Sequence, residues 1–337
     1  MARISVPLRD MNSALEKLRV LDLTRVLAGP WAGQLLGDYG ADVVKIERPG
    51  QGDDTRQWGP PWLGSESAYY LSANRNKRSV TVDIRTDRGQ QLVRELAGKA
   101  DVLLENFKTG TLGRYNLDPR DLMKRNPGLI LCSISAFGQS GSRAAEPGYD
   151  AMIQASGGLM SITGPPEAEG GGPQKVGVAI ADIMAGMYAT TAVLAALHAR
   201  AETGRGQRID IPLYDSQVAW LANQNMNYLV GGVVPGRMGT AHPNLVPYQA
   251  FATSDGNLML AIGNDRQFGD CAEIIGVPAL GQDRAYANNA ARVENRAELI
   301  PILQNALERK PTAFWLEAFA ARGVPAGPIN DIGEVLG

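Results

Sequence analysis

Residues 19–47 read RVLDLTRVLAGPWAGQLLGDYGADVVKIE, and this stretch decides the fold. Arg19–Leu23 is a short apolar run of strand length. A loop follows, then a helix opened by Pro30, whose missing N–H is harmless in a first turn, and stopped by Gly40. Asp42–Glu47 is the next strand, so the stretch is one strand–helix–strand unit. The alternation continues outward from it. Strands are predicted at Ser79–Ile84, Asp101–Glu105, Leu129–Ser135 and Arg208–Leu213. An amphipathic helix over Asp87–Ala100 carries Leu92, Val93 and Leu96 on one face. Such alternation specifies an α/β class with a parallel sheet covered by helices on both sides.

The chain of 337 residues allows about two domains. From Gly231 the texture changes. Gly231-Gly232 and Pro235-Gly236 mark a connection, and Tyr248–Thr253 with Leu258–Ile262 read as a hairpin around Ser254-Asp-Gly. Helices are predicted at about Arg266–Ile275, Asn295–Glu308 and Thr312–Ala321. The reading is therefore a large α/β domain over 1–230, ending in a helix from Tyr214 to Leu229, and a small α+β domain over 231–330.

Composition removes several function classes. With 33 Lys+Arg against 35 Asp+Glu, the net charge of −2 gives no electrostatic basis for nucleic-acid or anionic-membrane binding. Two cysteines, Cys132 and Cys271, and two histidines cannot build a disulfide framework or a His/Cys zinc cluster, so no metal site is expected. The N-terminus, MARISVPLRDMNSALEKLRV, has no apolar core of signal-peptide length, and a cytoplasmic protein is expected. Val176–Ala199 has the length of a membrane span. Its one carboxylate, Asp182, its small residues and the polar segment after it favour a buried helix instead.

The first strand–helix loop, Thr24-Arg-Val-Leu-Ala-Gly-Pro30, lacks G-x-G-x-x-G, and neither G-x-x-x-x-G-K-[ST] nor G-x-S-x-G occurs. Dinucleotide, phosphotransferase and serine-hydrolase readings thereby lose their main support. Cations do gather near strand ends: Arg48 after the second strand, Arg75, Lys77 and Arg78 before the next, and Arg85 after it. Together they suit a ligand with several phosphates, and Asn106-Phe107-Lys108 adds an amide and a ring on which an adenine can stack. Singly, each is also an ordinary solvated charge.

Asp182 is the residue to which the pattern points. It is the one carboxylate among 24 mostly apolar residues. It either caps a helix starting at Ile183 or serves as a nucleophile held ionised by that helix end, and the two roles are compatible. Tyr149 and Asp150 stand at a loop-to-helix junction, where a turn-and-cap role competes with substrate contact. His198 is read as a packed core residue, and His242 in Gly239-Thr-Ala-His-Pro-Asn as the better substrate contact.

Residues 21–56 (LDLTRV through GDDTR), NRNKRSVTVDI, DVLLENFKTGTLGRYNL, ADIMAGMYA and TGRGQRIDI together resemble the class III CoA-transferases, the CaiB/BaiF family. The resemblance covers essentially the whole chain. RQWGPPW, ESAYYLSANRNKRS and GTAHPNLVPYQAF are similar to the family's succinyl-CoA–glutarate branch. The resemblance implies a Rossmann-like large domain with a smaller one, in an interlocked homodimer. It implies transfer of CoA from an acyl-CoA to a free carboxylate, with CoA esters as substrates and no tightly bound cofactor. Asp182 falls on the family's catalytic aspartate, which would pass through an aspartyl-CoA thioester. The CoA contacts fall on Val26, Arg48, Val82, Arg85, Asn106, Phe107 and Arg114.

A C4–C6 dicarboxylate such as glutarate, with succinyl-CoA as donor, is the expected pair. Arg25, Arg237 and His242 are candidates for its far carboxylate, and Tyr149 and Asp150 for further substrate contact. Leu27, where formyl-CoA transferase has Gln, and the missing glycine quartet around 231–242 argue against oxalate and formate. The alternatives are another carboxylic acid, or an isomerase of the α-methylacyl-CoA racemase type. A racemase needs two acid/base groups, and its His would fall on Tyr149. Family chains continue past Gly337 and return to the large domain, so this chain is expected to lack that segment and to dimerise poorly.

Overall fold

A computed structural model describes residues 13–337. The first twelve residues, part of the segment inspected for a leader, lie outside the described residues. Two compact units occur. One comprises the chain up to Ser161 with Gln174–Pro235, the other Ile162–Pro173 with Gly236–Gly337.

The first unit is built on six parallel strands: β1 (Arg19–Asp22), β2 (Asp42–Glu47), β3 (Lys77–Thr81), β4 (Val102–Glu105), β5 (Ile130–Ser135) and β6 (Arg208–Pro212). Their order is β3-β2-β1-β4-β5-β6, with Val20 beside both Val43 and Val102. The inner strands are apolar because both faces are covered: Val102, Leu103, Leu104, Ile130, Leu131 and Cys132 are wholly buried. Each such Leu, Ile or Val contributes about 1.5–3 kcal/mol. The order reverses between β1 and β4, and in open α/β sheets the crevice beyond the carboxyl ends at such a point is where ligands bind.

Five helices position the site: α1 (Ala28–Asp38), α2 (Ala68–Ala73), α3 (Asp87–Ala97), α4 (Asp150–Ser156) and α5 (Ile180–Thr203). Helix α5 is long and apolar enough to cross a membrane. Its stripe Ala181, Ala185, Ala189, Val193 and Ala196 belongs to the core of this unit. Gly186 lets α1 approach closely, since a Cβ there would lie 2.7 Å from the Ala28 carbonyl oxygen.

Three readings need correction. The third strand is Lys77–Thr81, two residues earlier than Ser79–Ile84, so Val82–Arg85 has left the sheet. The helix expected over Tyr214–Leu229 is two, Leu213–Ala219 and Ala222–Gly231, broken where Ala222 takes φ +42°. On α3 the buried positions are Gly89, Gln90, Val93 and Ala97, whereas Leu92 is exposed.

The second unit has the expected hairpin, β7 (Tyr248–Ala252) against β8 (Asn257–Ala261), and a third strand, β9 (Ala326–Pro328), that the sequence reading missed. Helices Asp265–Ile274, Arg296–Leu307 and Thr312–Ala321 close a core around Phe251, Leu260, Phe268, Leu303, Trp315 and Phe319.

Candidate active site

The loop after β1 is held from three sides. Lys45 on β2 is wholly buried; its Nζ donates to the Thr24 carbonyl (2.7 Å) and pairs with the equally buried Asp53 (2.9 Å). Asn106, just past β4, accepts from the Arg25 N–H (2.9 Å) and donates to the Arg25 carbonyl (2.7 Å). The Asp53 carboxylate accepts the Val26 N–H at 3.2 Å. Val26 sits at φ +73°, a costly place for a β-branched residue, which persists only where neighbours over-determine it. Beneath the loop, burial pushes the Asp22 carboxyl up, but Lys77 at 3.0 Å, Lys45 and Thr24 bring it below the usual range.

Beyond the carboxyl ends of β1 to β4 lies a cavity of about 640 Å³. Five of the residues expected to contact a ligand line it: Arg25, Arg48, Val82, Arg85 and Phe107. Val82 and Arg85 reach it because the chain leaves the sheet at Thr81. The Arg25 guanidinium stands 5.7 Å over the Phe107 ring and pairs with Asp54 at 3.0 Å. Arg85 is exposed and paired with Asp83, whereas Arg48 donates to Gln51 and adds its charge near the same Asp83 carboxylate. Val26 and Asn106 act from behind, shaping the loop rather than lining the cavity. Arg114 is exposed on the short helix Thr111–Arg114, bonded to Thr111.

The cations at the start of β3 do not join this cluster. Arg75 pairs with Asp38, Arg78 with Asp42 and Lys77 with Asp22, all at the opposite end of the strand or within the sheet. A parallel strand separates cations at its start from cations after its end, so of the cations flanking β2 and β3 Arg48 and Arg85 line the crevice.

Asp182 lies in the first turn of α5, which begins at Ile180 rather than at Ile183, so it is not the cap. Asp150 does that work: its Oδ1 accepts the N–H of Ala181 at 2.7 Å and more distantly that of Asp182 at 3.4 Å. Its Oδ2 accepts from Gln154 at 2.6 Å, and Gln154 accepts the Val176 N–H at 2.9 Å. Both Asp150 oxygens are thus engaged within the protein. The Asp182 carboxylate has no hydrogen-bond or ion-pair partner among the described residues. Burial, and then the negative charge of Asp150, push it up to about 7. The helix-end amides that would oppose the effect of burial are given to Asp150 instead. A half-buried carboxylate poised near neutrality and free of partners among the described residues is suited to attack an electrophile.

Tyr69 on α2 was not anticipated. Its phenol is pushed up by burial and by the charges of Asp182, Asp150 and Asp53, and its ring meets Trp58 edge-on at 5.0 Å. Nothing in AYYLSA marks it out, since only the tertiary fold gathers those carboxylates. Tyr149 holds the N-cap position of α4, but its side chain makes no capping bond and is 66% exposed. His198 is exposed on α5, not packed in the core.

Arg237 and His242 belong to the second unit. Arg237 donates to the carbonyls of Pro165 (3.3 Å) and Gly171 (3.2 Å), tying the loop Ile162–Pro173 to this unit. His242 Nδ1 accepts the Asn244 N–H at 3.0 Å, which leaves Nε2 to carry the proton of the neutral ring. Burial, and then Arg296, push its pKa down.

Residues 15–337 match the family model of CoA-transferase family III. The chain is 49% identical over 328 residues to a succinate–glutarate CoA-transferase of Agrobacterium fabrum, covering 96% of this chain and 81% of that one. It is 47% identical over 332 residues to the human succinyl-CoA:glutarate CoA-transferase, covering 98% and 75%. The crystal structure of a CaiB/BaiF family protein from Brucella suis superposes with a TM-score of 0.85 at 49% identity, covering 97% of this chain and 86% of that one.

Proposed function

The chain belongs to CoA-transferase family III, and on that premise we propose that it moves CoA from succinyl-CoA to glutarate through a covalent intermediate on Asp182. The observation that carries the mechanism is the partnerless Asp182 carboxylate in the first turn of α5. Its oxygen attacks the succinyl thioester carbonyl and the C–S bond breaks, giving a succinyl–aspartyl anhydride and CoA thiolate. The thiolate attacks the aspartyl carbonyl, forming an aspartyl-CoA thioester and releasing succinate. Glutarate attacks that thioester, and the expelled thiolate takes the glutaryl carbonyl, leaving glutaryl-CoA and free Asp182. Two exchanges replace one attack by a weak nucleophile on a thioester.

The cavity beside Arg48, Arg85 and Phe107 suits the nucleotide end of CoA, with the ring available for stacking and the cations for phosphates. Arg48→Ala or Arg85→Ala should raise KM for succinyl-CoA and acetyl-CoA alike by about 5- to 50-fold, with kcat changed far less. Initial rates across a panel of acyl-CoA donors check this. A loss confined to one acyl group would move that arginine to the acyl end.

Glutarate reacts through one carboxylate while the other stays charged, so its site must supply a cation or several donors. Arg25, Arg237 and His242 are the proposed candidates for that role, His242 through its Nε2–H. The test compares glutarate with butyrate as acceptor from succinyl-CoA. Glutarate should be favoured by at least about 100-fold in kcat/KM, the worth of a paired buried charge. Equal use of both acids would contradict the dicarboxylate assignment. A homodimer and a cytoplasmic setting are parts of the same proposal. The exposed apolar run of Leu229, Val230, Val233 and Val234, 71–79% accessible, supports cover by a second copy.

A further inference from the structure

The first turn of α5 carries the reacting carboxylate, yet nothing on α5 itself fixes that turn. Ala179, its N-cap residue, makes no side-chain capping bond. The bond that a Ser or Asp would normally supply there comes from Asp150, 32 positions before Asp182, at the start of α4. Asp150 is itself anchored, by Gln154 one turn later on α4, and Gln154 also holds the Val176 N–H on the approach to α5. Three backbone N–H groups around the nucleophile therefore hang on one carboxylate–amide pair.

We propose that Asp150 is a positioning residue of the transferase, holding the first turn of α5 through the N–H groups of Ala181 and Asp182 so that the Asp182 carboxylate stands where the thioester carbonyl arrives. The proposal rests on the assignment of Asp182 as nucleophile. It departs from a substrate-binding role, because both oxygens of Asp150 are already bonded inside the protein. A second consequence is electrostatic. Two carboxylates share this region, so the charge on Asp150 opposes ionisation of Asp182 and keeps it a stronger base than an exposed aspartate.

The other groups near α5 do not compete for this role. Helix α1, packed along α5, carries Asp38 at its far end, committed to Arg75. The helix Leu213–Ala219 carries Tyr214 and Asp215, and α2 brings the Tyr69 phenol, held neutral by burial and by the carboxylates around it. None of these opposes Asp182 as Asp150 does.

The test measures kcat, KM for succinyl-CoA and the pH–rate profile for the wild type, Asp150→Ala, Asp150→Asn and Asp182→Ala. Asp150→Ala should lower kcat by about 10- to 100-fold while KM moves less than about 3-fold, the mark of a displaced nucleophile. Asp150→Asn keeps an oxygen for the Ala181 N–H and drops the charge. It should recover most of kcat at pH 8 and move the acidic midpoint downward by about one pH unit. A mere fold-supporting role would not move that midpoint, and Asp150→Asn carries the test alone should the alanine variant fail to fold. An unmoved midpoint in Asp150→Asn, with Asp182→Ala inactive, would overturn the proposal and leave the nucleophile in place. Turnover surviving in Asp182→Ala would overturn both.

Discussion

Asp182→Ala should lose at least about 10³-fold in the rate of CoA exchange between succinyl-CoA and glutarate, with succinyl-CoA still bound. The expectation follows from the proposed mechanism: in it, without the carboxylate no anhydride forms, and nothing stores the CoA group between departure of succinate and arrival of glutarate. Binding should survive because the cavity at the ends of β1 to β4 is built by other residues. The pH dependence follows from the same group. Its carboxyl stands at about 7, raised by burial and then by Asp150, so the ionised nucleophile is half-populated near neutrality. Single-turnover rates should fall as pH drops from 8 through 7 toward 6, far above the range of an ordinary aspartate. Rapid-quench measurement of succinate release against pH checks both claims. A flat profile between pH 5 and 8 would remove the raised carboxyl from the mechanism.

Lys45→Met should destabilise the protein by roughly 3–5 kcal/mol, because it strands the Asp53 carboxylate in the interior. That is a large fraction of the ~5–15 kcal/mol that holds a typical domain folded. The site suffers with the fold, since Lys45 also holds the Thr24 carbonyl and Asp53 the Val26 N–H. Adding Asp53→Asn should recover part of the loss: an amide has no unpaired charge and still accepts from Val26 and Thr55. Urea denaturation of both variants measures this. A cost below about 1 kcal/mol for Lys45→Met, or no recovery in the double variant, would show that the pair does not brace the loop.

Lys45 also marks the limit of what the sequence discloses. In DVVKIE it looks like the solvated residue of an alternating strand. Its burial depends on Asp53, eight residues on and across a loop, where no local periodicity reaches. The unit β1–α1–β2 was legible because its apolar runs, Pro30 and Gly40 all speak locally. The third strand was placed two residues late because it is an edge strand. Most of its residues are exposed, whereas the apolar Val82 is drawn out of the sheet to line the cavity. The break before Ala222 carries no glycine or proline to announce it.

The same contrast holds at the site. Asp182 stands out as one carboxylate in an apolar helix, and Arg48 and Arg85 as cations after strands. The partner that caps the helix, Asp150, and the phenol of Tyr69 come from other elements and emerge only when the chain is folded. Arg75, Lys77 and Arg78 show the converse: a cluster in sequence that the strand direction disperses into three separate ion pairs.

The central claim is that Asp182 itself carries the CoA group. The direct measurement is to mix the protein with succinyl-CoA without an acceptor, quench with hydroxylamine, and map the peptides by mass spectrometry. The account predicts a hydroxamate on Asp182 in the peptide beginning at Val176, dependent on succinyl-CoA and diminished when glutarate is added. A hydroxamate on another carboxylate, or an unmodified Asp182 in protein that still exchanges CoA, would contradict it.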